Sequence, residues 1–308
     1  MNITVAICTW NRCELLRQTL EQMRNLEVPQ GVEWELLIVN NNCTDFTDKV
    51  ISCYAEYLPI RRLFEVKPGK SNACNCVIQH ARGNYILWTD DDVLVDENWL
   101  TAYHEAFLRW PEAAVFGGPI EPWFQKPPPE WLQQVLPRVA GAYAIRNFGD
   151  EPMPLSERWV VPFGANFAVR AKEQAGHLYD VRRGPRPGSP LRGEETDVIN
   201  AILSGGGAGW WVPRARVKHY IPPDRQTIRY LRSFFFGIER GLELTSCDPS
   251  AHTWFGKPRW LWRAAVEAEL KYRWRRCFKE PTEWIGDLKK SSAYWGMLGI
   301  SLLCPYER

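Results

Sequence analysis

The sequence predicts an α/β protein, a mostly parallel sheet flanked by helices, with a helical region at the C-terminal end. Three observations carry that expectation. Short apolar runs alternate with segments of helical periodicity over the first 120 residues, joined by brief connections, as in a parallel sheet covered on both faces. The alternation loosens from 117 to 191, and beyond 223 the pattern turns mostly helical. Charge shifts too: residues 1–224 hold 23 basic and 27 acidic side chains, a balance of −4, and residues 225–308 hold 15 and 9, a balance of +6.

The elements follow in order. Residues 3–8 form a buried strand, and 13–26 a helix with Leu15, Leu16, Leu20 and Met23 on one face. A second strand spans 34–39, and a helix spans 45–57 with Thr44 as its N-cap. Strand 61–66, helix 71–81 and strand 85–88 lead into Thr89-Asp90-Asp91-Asp92, and helix 96–110 and strand 113–116 follow. Pro127-Pro128-Pro129 and the segment 182–190 read as loops, the second flap-like. Residues 159–170 are extended, 194–203 helical and 210–213 a short strand. Helices are expected at about 226–244, 258–278 and 281–297.

Composition narrows the class. The 308 residues are 45% hydrophobic and 24% charged, enough for a sizeable core and unlike a disordered chain. The net charge of +2 excludes a global nucleic-acid signature. Nine cysteines without paired CxxC motifs point to reduced thiols, not a zinc site or a disulfide framework. The N-terminus lacks the pattern of a signal peptide, and no uninterrupted apolar stretch reaches about 18 residues. The expectation is therefore a cytoplasmic protein.

Asp90-Asp91-Asp92 directly follows an apolar strand, where open α/β sheets bind ligands. Three adjacent carboxylates suit a hard divalent cation; the alternative is a solvated acidic turn before the next helix. Around this cluster stands an ordered set of motifs. Val5-Ala6-Ile7-Cys8-Thr9-Trp10-Asn11-Arg12 resembles the opening strand and turn of family-2 glycosyltransferases with the GT-A fold, a Rossmann-like architecture. Val39-Asn40-Asn41-Asn42-Cys43-Thr44-Asp45 is similar to the family's V-N-N-N-S-T-D. Gly69-Lys70-Ser71-Asn72-Ala73-Cys74-Asn75 is similar to G-x-x-x-A-R-N, with Cys74 in place of Arg. The run from Gly83 to Asp92 resembles G-x-Y-I-x-F-x-D-D-D, whose D-x-D motif falls on Asp90 and Asp92. Pro162-Phe163-Gly164-Ala165-Asn166, Gly193-Glu194-Glu195-Thr196-Asp197 and Val217-Lys218-His219-Tyr220-Ile221-Pro222-Pro223 resemble the later motifs of the family.

The resemblance implies a metal-dependent, inverting transfer of a sugar from a nucleotide donor, a UDP-sugar, to a hydroxyl of a glycan or lipid-linked glycan. Residues 1–224 would be the catalytic domain, with a donor half to about 117 and an acceptor half beyond it; 225–308 would be a basic, Trp-rich helical region. A cation, Mn²⁺ or Mg²⁺, would stabilise the leaving diphosphate. Asp92 and His219 would hold it, with Asp90 reaching the metal or the ribose. Thr9, Asn11, Arg12, Asn41, Lys70, Asn75, Asp90 and Asp91 would meet the nucleotide sugar, although turn chemistry explains 40–42 equally simply. Arg12 also suits a helix-start ion pair, and Lys70 a solvated loop. Gly164, Ala165 and Asn166 would face the acceptor. Glu195 would be the general base, with Glu194 or Asp197 as substitutes, and acidic residues at 194–197 also suit a helix N-terminus. Six Trp among the basic side chains of 225–308 fit either an anionic membrane surface, making the protein peripheral on the cytoplasmic face, or a packed helical subdomain. Two other readings are a sugar-phosphate nucleotidyltransferase, disfavoured by the lack of a Gly-rich loop at 9–12, and a non-catalytic scaffold, disfavoured by the intact acidic motifs.

Overall fold

The computed structural model describes residues 1–155, 161–185, 193–240 and 253–300. It divides into two compact units, one of residues 1–123 and 144–220, the other of 124–143 and 221–308. In chain order the first unit begins with β1 (Asn2–Thr9), α1 (Cys13–Met23), β2 (Glu33–Asn40), α2 (Thr47–Tyr54), β3 (Ile60–Phe64), α3 (Lys70–His80) and β4 (Tyr85–Asp90). There follow β5 (Val93–Val95), α4 (Trp99–Arg109), β6 (Ala113–Gly117) and β7 (Ile120–Trp123). After α5 (Glu130–Val139), which belongs to the second unit, come β8 (Asn166–Arg170), α6 (Ala171–Ala175), α7 (Glu194–Ser204), β9 (Ala208–Trp211) and β10 (Val217–Tyr220).

A seven-stranded sheet runs β3-β2-β1-β4-β8-β6-β9. The four strands from β3 to β4 are parallel, whereas β8 lies antiparallel between β4 and β6. Alternate residues feed two cores. Val5, Ile7, Leu36 and Ile38 pack with α1 and α4 side chains on one face; Ala6, Leu37 and Val39 pack with Ala73 and Val77 of α3 on the other. Burial on both faces is why these strands read as continuous apolar runs.

A smaller sheet, β5-β10-β7, was not expected from the sequence, because its strands are only three or four residues long. Gly118 allows the chain to pass from one sheet to the other: a Cβ there would stand 2.1 Å from the Ala215 carbonyl oxygen. The N-cap expectation at Thr44 is corrected. The Asp45 carboxylate accepts from the Thr47 amide at 3.1 Å and the Cys13 amide at 2.9 Å, tying the first turns of α2 and α1 together. The Thr44 amide is instead held by Asn11 Oδ1 at 2.7 Å.

The second unit contains α5, α8 (Ile228–Arg240), a short hairpin of β11 (Thr253–Trp254) and β12 (Lys257–Pro258), α9 (Arg259–Phe278) and α10 (Pro281–Leu298). The sequence reading gave 124–143 to the acceptor half; it groups with the C-terminal helices instead. Three prolines hide α5 from a pattern search, but Leu132, Val135 and Val139 bury one face of it, and Trp131 lies 6.1 Å from Trp284 of α10. Arg232, Glu269 and Ser291 form a buried polar cluster, with Arg232 and Ser291 donating to Glu269 at 2.9 and 2.6 Å. The Trp residues divide: Trp284 is buried, while Trp254, Trp260 and Trp274 are more than half exposed. No described helix is long and apolar enough to cross a membrane. Part of the extended segment at 159–170, the flap from 186 and the end of the helix expected at 226–244 lie outside the described residues.

Candidate active site

The acidic turn closes the C-terminal end of β4 beside the end of β1. Thr9 Oγ1 donates to Asp91 at 2.8 Å, and the Arg12 guanidinium bridges Asp91 at 3.1 Å and Asp92 at 2.9 Å. Burial pushes Asp91 up to about 6 against the pull of Arg12, and the adjacent Asp92 adds to the rise. Burial opposes the Arg12 charge, but the two aspartates outweigh it and raise its pKa. The repulsion among adjacent carboxylates is therefore offset by one cation that is partly shielded from water.

His219 reaches this turn through the small sheet. β5 starts immediately after Asp92 and pairs antiparallel with β10, setting His219 opposite Val93. His219 Nε2 stands 3.5 Å from Asp92 Oδ1, and both residues are buried. One ligand atom from each of Asp90, Asp92 and His219 lies within 4.8 Å of the others. Two carboxylates and an imidazole converging this closely form a donor set that fits a divalent cation such as Mn²⁺ or Mg²⁺.

A pocket opens beside these groups, lined by Cys8, Lys70, Cys74, Trp88, Asp90, Gly164, Tyr179, Glu194 and Glu195, among others. Gly69, at φ 122°, turns the chain into α3, and Lys70 Nζ meets Asp90 Oδ1 at 2.6 Å. Burial disfavours the Lys70 charge, but Asp90 and then Glu194 outweigh it, holding its pKa well above the usual lysine range. Glu194 and Glu195 open α7. Burial, with the neighbouring Glu195 charge, pushes Glu194 up to about 7 despite Lys70. Glu195 Oε1 accepts from the Gly164 amide at 3.3 Å. Asp197 does not line the pocket; it pairs with Arg183 at 2.7 Å.

The structure engages several residues expected at the ligand elsewhere. Asn41 Nδ2 donates to the carbonyls of Glu65 and Lys67, and its Oδ1 accepts from the Gly69 amide. Asn75 exchanges two hydrogen bonds with the Tyr179 backbone at 2.9 Å each. Asn166 is fully buried: its Oδ1 accepts from Trp99 Nε1 and Tyr103 Oη, and its Nδ2 donates to Pro119 and Ala215. These amides brace loops around the site. Asn11 also acts locally, at φ 52° against Thr44. Ala165 lends its carbonyl to Thr89 Oγ1 at 3.1 Å. Sequence reasoning missed Cys8, Trp88 and Tyr179 as pocket walls: Cys8 and Trp88 lie inside the strand motifs without being singled out, and no motif covers Tyr179.

Comparison with known proteins decides the family. The model of the glycosyl transferase family 2 matches residues 4–161, half of the chain, from within β1 to beyond β7. The chain belongs to the glycosyl transferase family 2. It is 24% identical over 247 residues to the succinoglycan biosynthesis protein ExoM of Rhizobium meliloti (strain 1021), covering 78% of this chain and 74% of that protein. It is 29% identical over 119 residues to poly-beta-1,6-N-acetyl-D-glucosamine synthase of Staphylococcus epidermidis, spanning 38% of this chain but only 28% of that one. Among solved structures it resembles the mannosyltransferase PcManGT of Pyrobaculum calidifontis in complex with GDP-Man and Mn2+, with TM-score 0.55, 18% identity and coverage of 96% of this chain and 86% of that chain. S. aureus TarS 1-349 in complex with UDP gives TM-score 0.54, 13% identity, and coverage of 97% and 91% respectively. This family-2 chain is a glycosyltransferase built on the GT-A fold.

Proposed function

We propose that this glycosyltransferase moves a sugar from a nucleoside-diphosphate donor, preferably UDP-linked, to a hydroxyl of a glycan or lipid-linked glycan in polysaccharide synthesis, with inversion at the anomeric carbon. The observation that carries the reading is the opposition, across one pocket region, of the Asp90–Asp92–His219 donor set and the Glu194–Glu195 pair. Asp92 and His219, with Asp90, would hold Mn²⁺ or Mg²⁺, which when bound stabilises charge on a leaving diphosphate. Lys70 supplies a second positive charge on the same side. Arg12 and Thr9 fix the acidic turn, so that Asp91 positions its neighbours and does not itself meet the donor. Glu195, held at Gly164, takes the proton of the acceptor hydroxyl as the new bond forms. Residues 1–117 supply the donor half and the later motifs the acceptor half.

The ExoM likeness supports a bacterial polysaccharide as the setting. An exposed apolar stripe on α9 (Trp260, Val266, Leu270, Trp274 and Phe278) supports attachment to the cytoplasmic face of an anionic membrane. Hydrolysis of UDP- and GDP-sugars, with and without Mn²⁺, tests the donor. Glu195→Gln tests the base: it should leave UDP binding intact and cut transfer by roughly 10²–10⁴-fold. Retained anomeric configuration in the product, read by NMR, would overturn the single displacement.

A further inference from the structure

The register of the small sheet carries an arginine to the face that bears His219. β7 pairs with β10 so that Ile120 lies opposite Val217. Ile120 in turn exchanges two backbone hydrogen bonds with Arg146, at 2.8 and 3.1 Å, in an antiparallel bridge. Partners across a ladder share a face, and so do residues two apart on a strand. Val217, Ile120, Arg146 and His219 therefore project from the same side. Val217 and Ile120 are core residues, so this side is the inner one.

The Arg146 guanidinium carbon lies over Phe163, 3.7 Å from the ring centroid, and 5.1 Å from that of Phe148. Phe163 precedes Gly164, whose amide meets Glu195. The Arg146 Nε is buried with no acceptor, and no carboxylate of the described residues forms an ion pair with this guanidinium. Burial lowers its pKa, and no acidic group among the described residues counters it. This differs from Arg12 and Arg232, whose burial is compensated by aspartate or glutamate. Arg146 is half-buried, and a cation partly withdrawn from water with no anionic partner among the described residues costs stability.

We propose that Arg146 binds an oxyanion carried by the acceptor substrate, beside the base Glu195. A guanidinium held over an aromatic ring can present its fork to a carboxylate or a phosphate oxygen pair. Two sources share that chemistry: a uronate-type carboxylate on the sugar, and the diphosphate joining a glycan to its lipid. This rests on the transferase reading above.

The test compares wild type, Arg146→Met and Arg146→Lys, all saturated with UDP and Mn²⁺. Met fills the space over Phe163 without charge or donors. The probes are methyl β-D-glucuronide, inorganic pyrophosphate and neutral methyl β-D-glucoside, followed by NMR titration. Wild type should bind the glucuronide if the acceptor bears a carboxylate, or pyrophosphate if it bears a diphosphate. Arg146→Met should weaken that binding at least tenfold and Arg146→Lys should restore part of it, with UDP affinity unchanged. Arg146→Met should also melt no lower than wild type, because no protein anion is orphaned. Equal anion binding by wild type and Arg146→Met, or binding of neither anion by wild type, overturns the proposal. So does a lower melting temperature for Arg146→Met with glucoside and anion binding lost together, which would make the stack structural. If UDP itself fails to bind, the donor reading falls, and the glucuronide comparison still decides the role of Arg146.

Discussion

Replacing Glu194 with Gln keeps the shape of the side chain and removes a carboxyl that the fold holds in an unfavourable place. The charged groups acting on it are its helix neighbour Glu195, Lys70 from α3 and Asp90 from β4. Burial and Glu195 win over Lys70 and raise Glu194 from 4.5 to about 7. A carboxyl whose pKa is higher in the folded chain binds more protons folded than unfolded between those two values, so stability falls as pH rises through that window. The full difference corresponds to about 3 kcal/mol, reached above pH 7 and absent below pH 4.5. Close coupling with Glu195 shares part of it, so roughly 2 kcal/mol is the working figure. For a unit of about 200 residues that is roughly 4–8 °C. Glu194→Gln should thus melt several degrees above wild type at pH 8 and level with it at pH 4.5. The assay is thermal denaturation of both proteins across that range without metal. A gap that does not change with pH, or a less stable variant at pH 8, would refute the electrostatic reasoning.

Three further outcomes follow from the geometry. Asp92→Ala and His219→Ala should each abolish the Mn²⁺-dependent part of UDP binding in calorimetry; an unchanged metal dependence in both variants would remove them from the site. Asn166→Ala leaves the buried Trp99 Nε1 and Tyr103 Oη without an acceptor, so chemical denaturation should show a loss of about 2–5 kcal/mol; a loss below about 1 kcal/mol would contradict the bracing role. Leu270→Ser with Trp274→Ser should reduce co-sedimentation with anionic liposomes at low salt while donor hydrolysis continues. Arg273 and Arg275 are poor probes of that surface, since they pair with buried Glu269 and Asp287; if wild type ignores such liposomes, the membrane reading fails.

How much of this was legible in the sequence depends on the range of the forces involved. β1, β2 and β4 could be read directly, because burial on both faces makes their central residues mostly apolar. β5, β7 and β10 are too short to carry a period, and α5 lies behind a proline run. In the site, the types of residue were legible but their direction was not. Asn41 and Asn166 stand in motifs that point toward ligands, yet their amides bind carbonyls up to 49 residues away.

Arg146 shows the same limit from the other side. Nothing within several residues of it signals function; its neighbours Ile120 and Phe163 are 26 and 17 positions away and apolar. A buried charge becomes informative only when the structure shows what is missing around it. Arg12 has two carboxylates in reach and thereby explains how Asp91 and Asp92 can stand side by side. Arg146 has two aromatic rings and, among the described residues, no carboxylate partner. In the proposed reading its anion arrives with the acceptor, and the place of Arg146 over Phe163, next in the chain to the Gly164 that meets Glu195, sets that acceptor on the side of the pocket where Glu195 works.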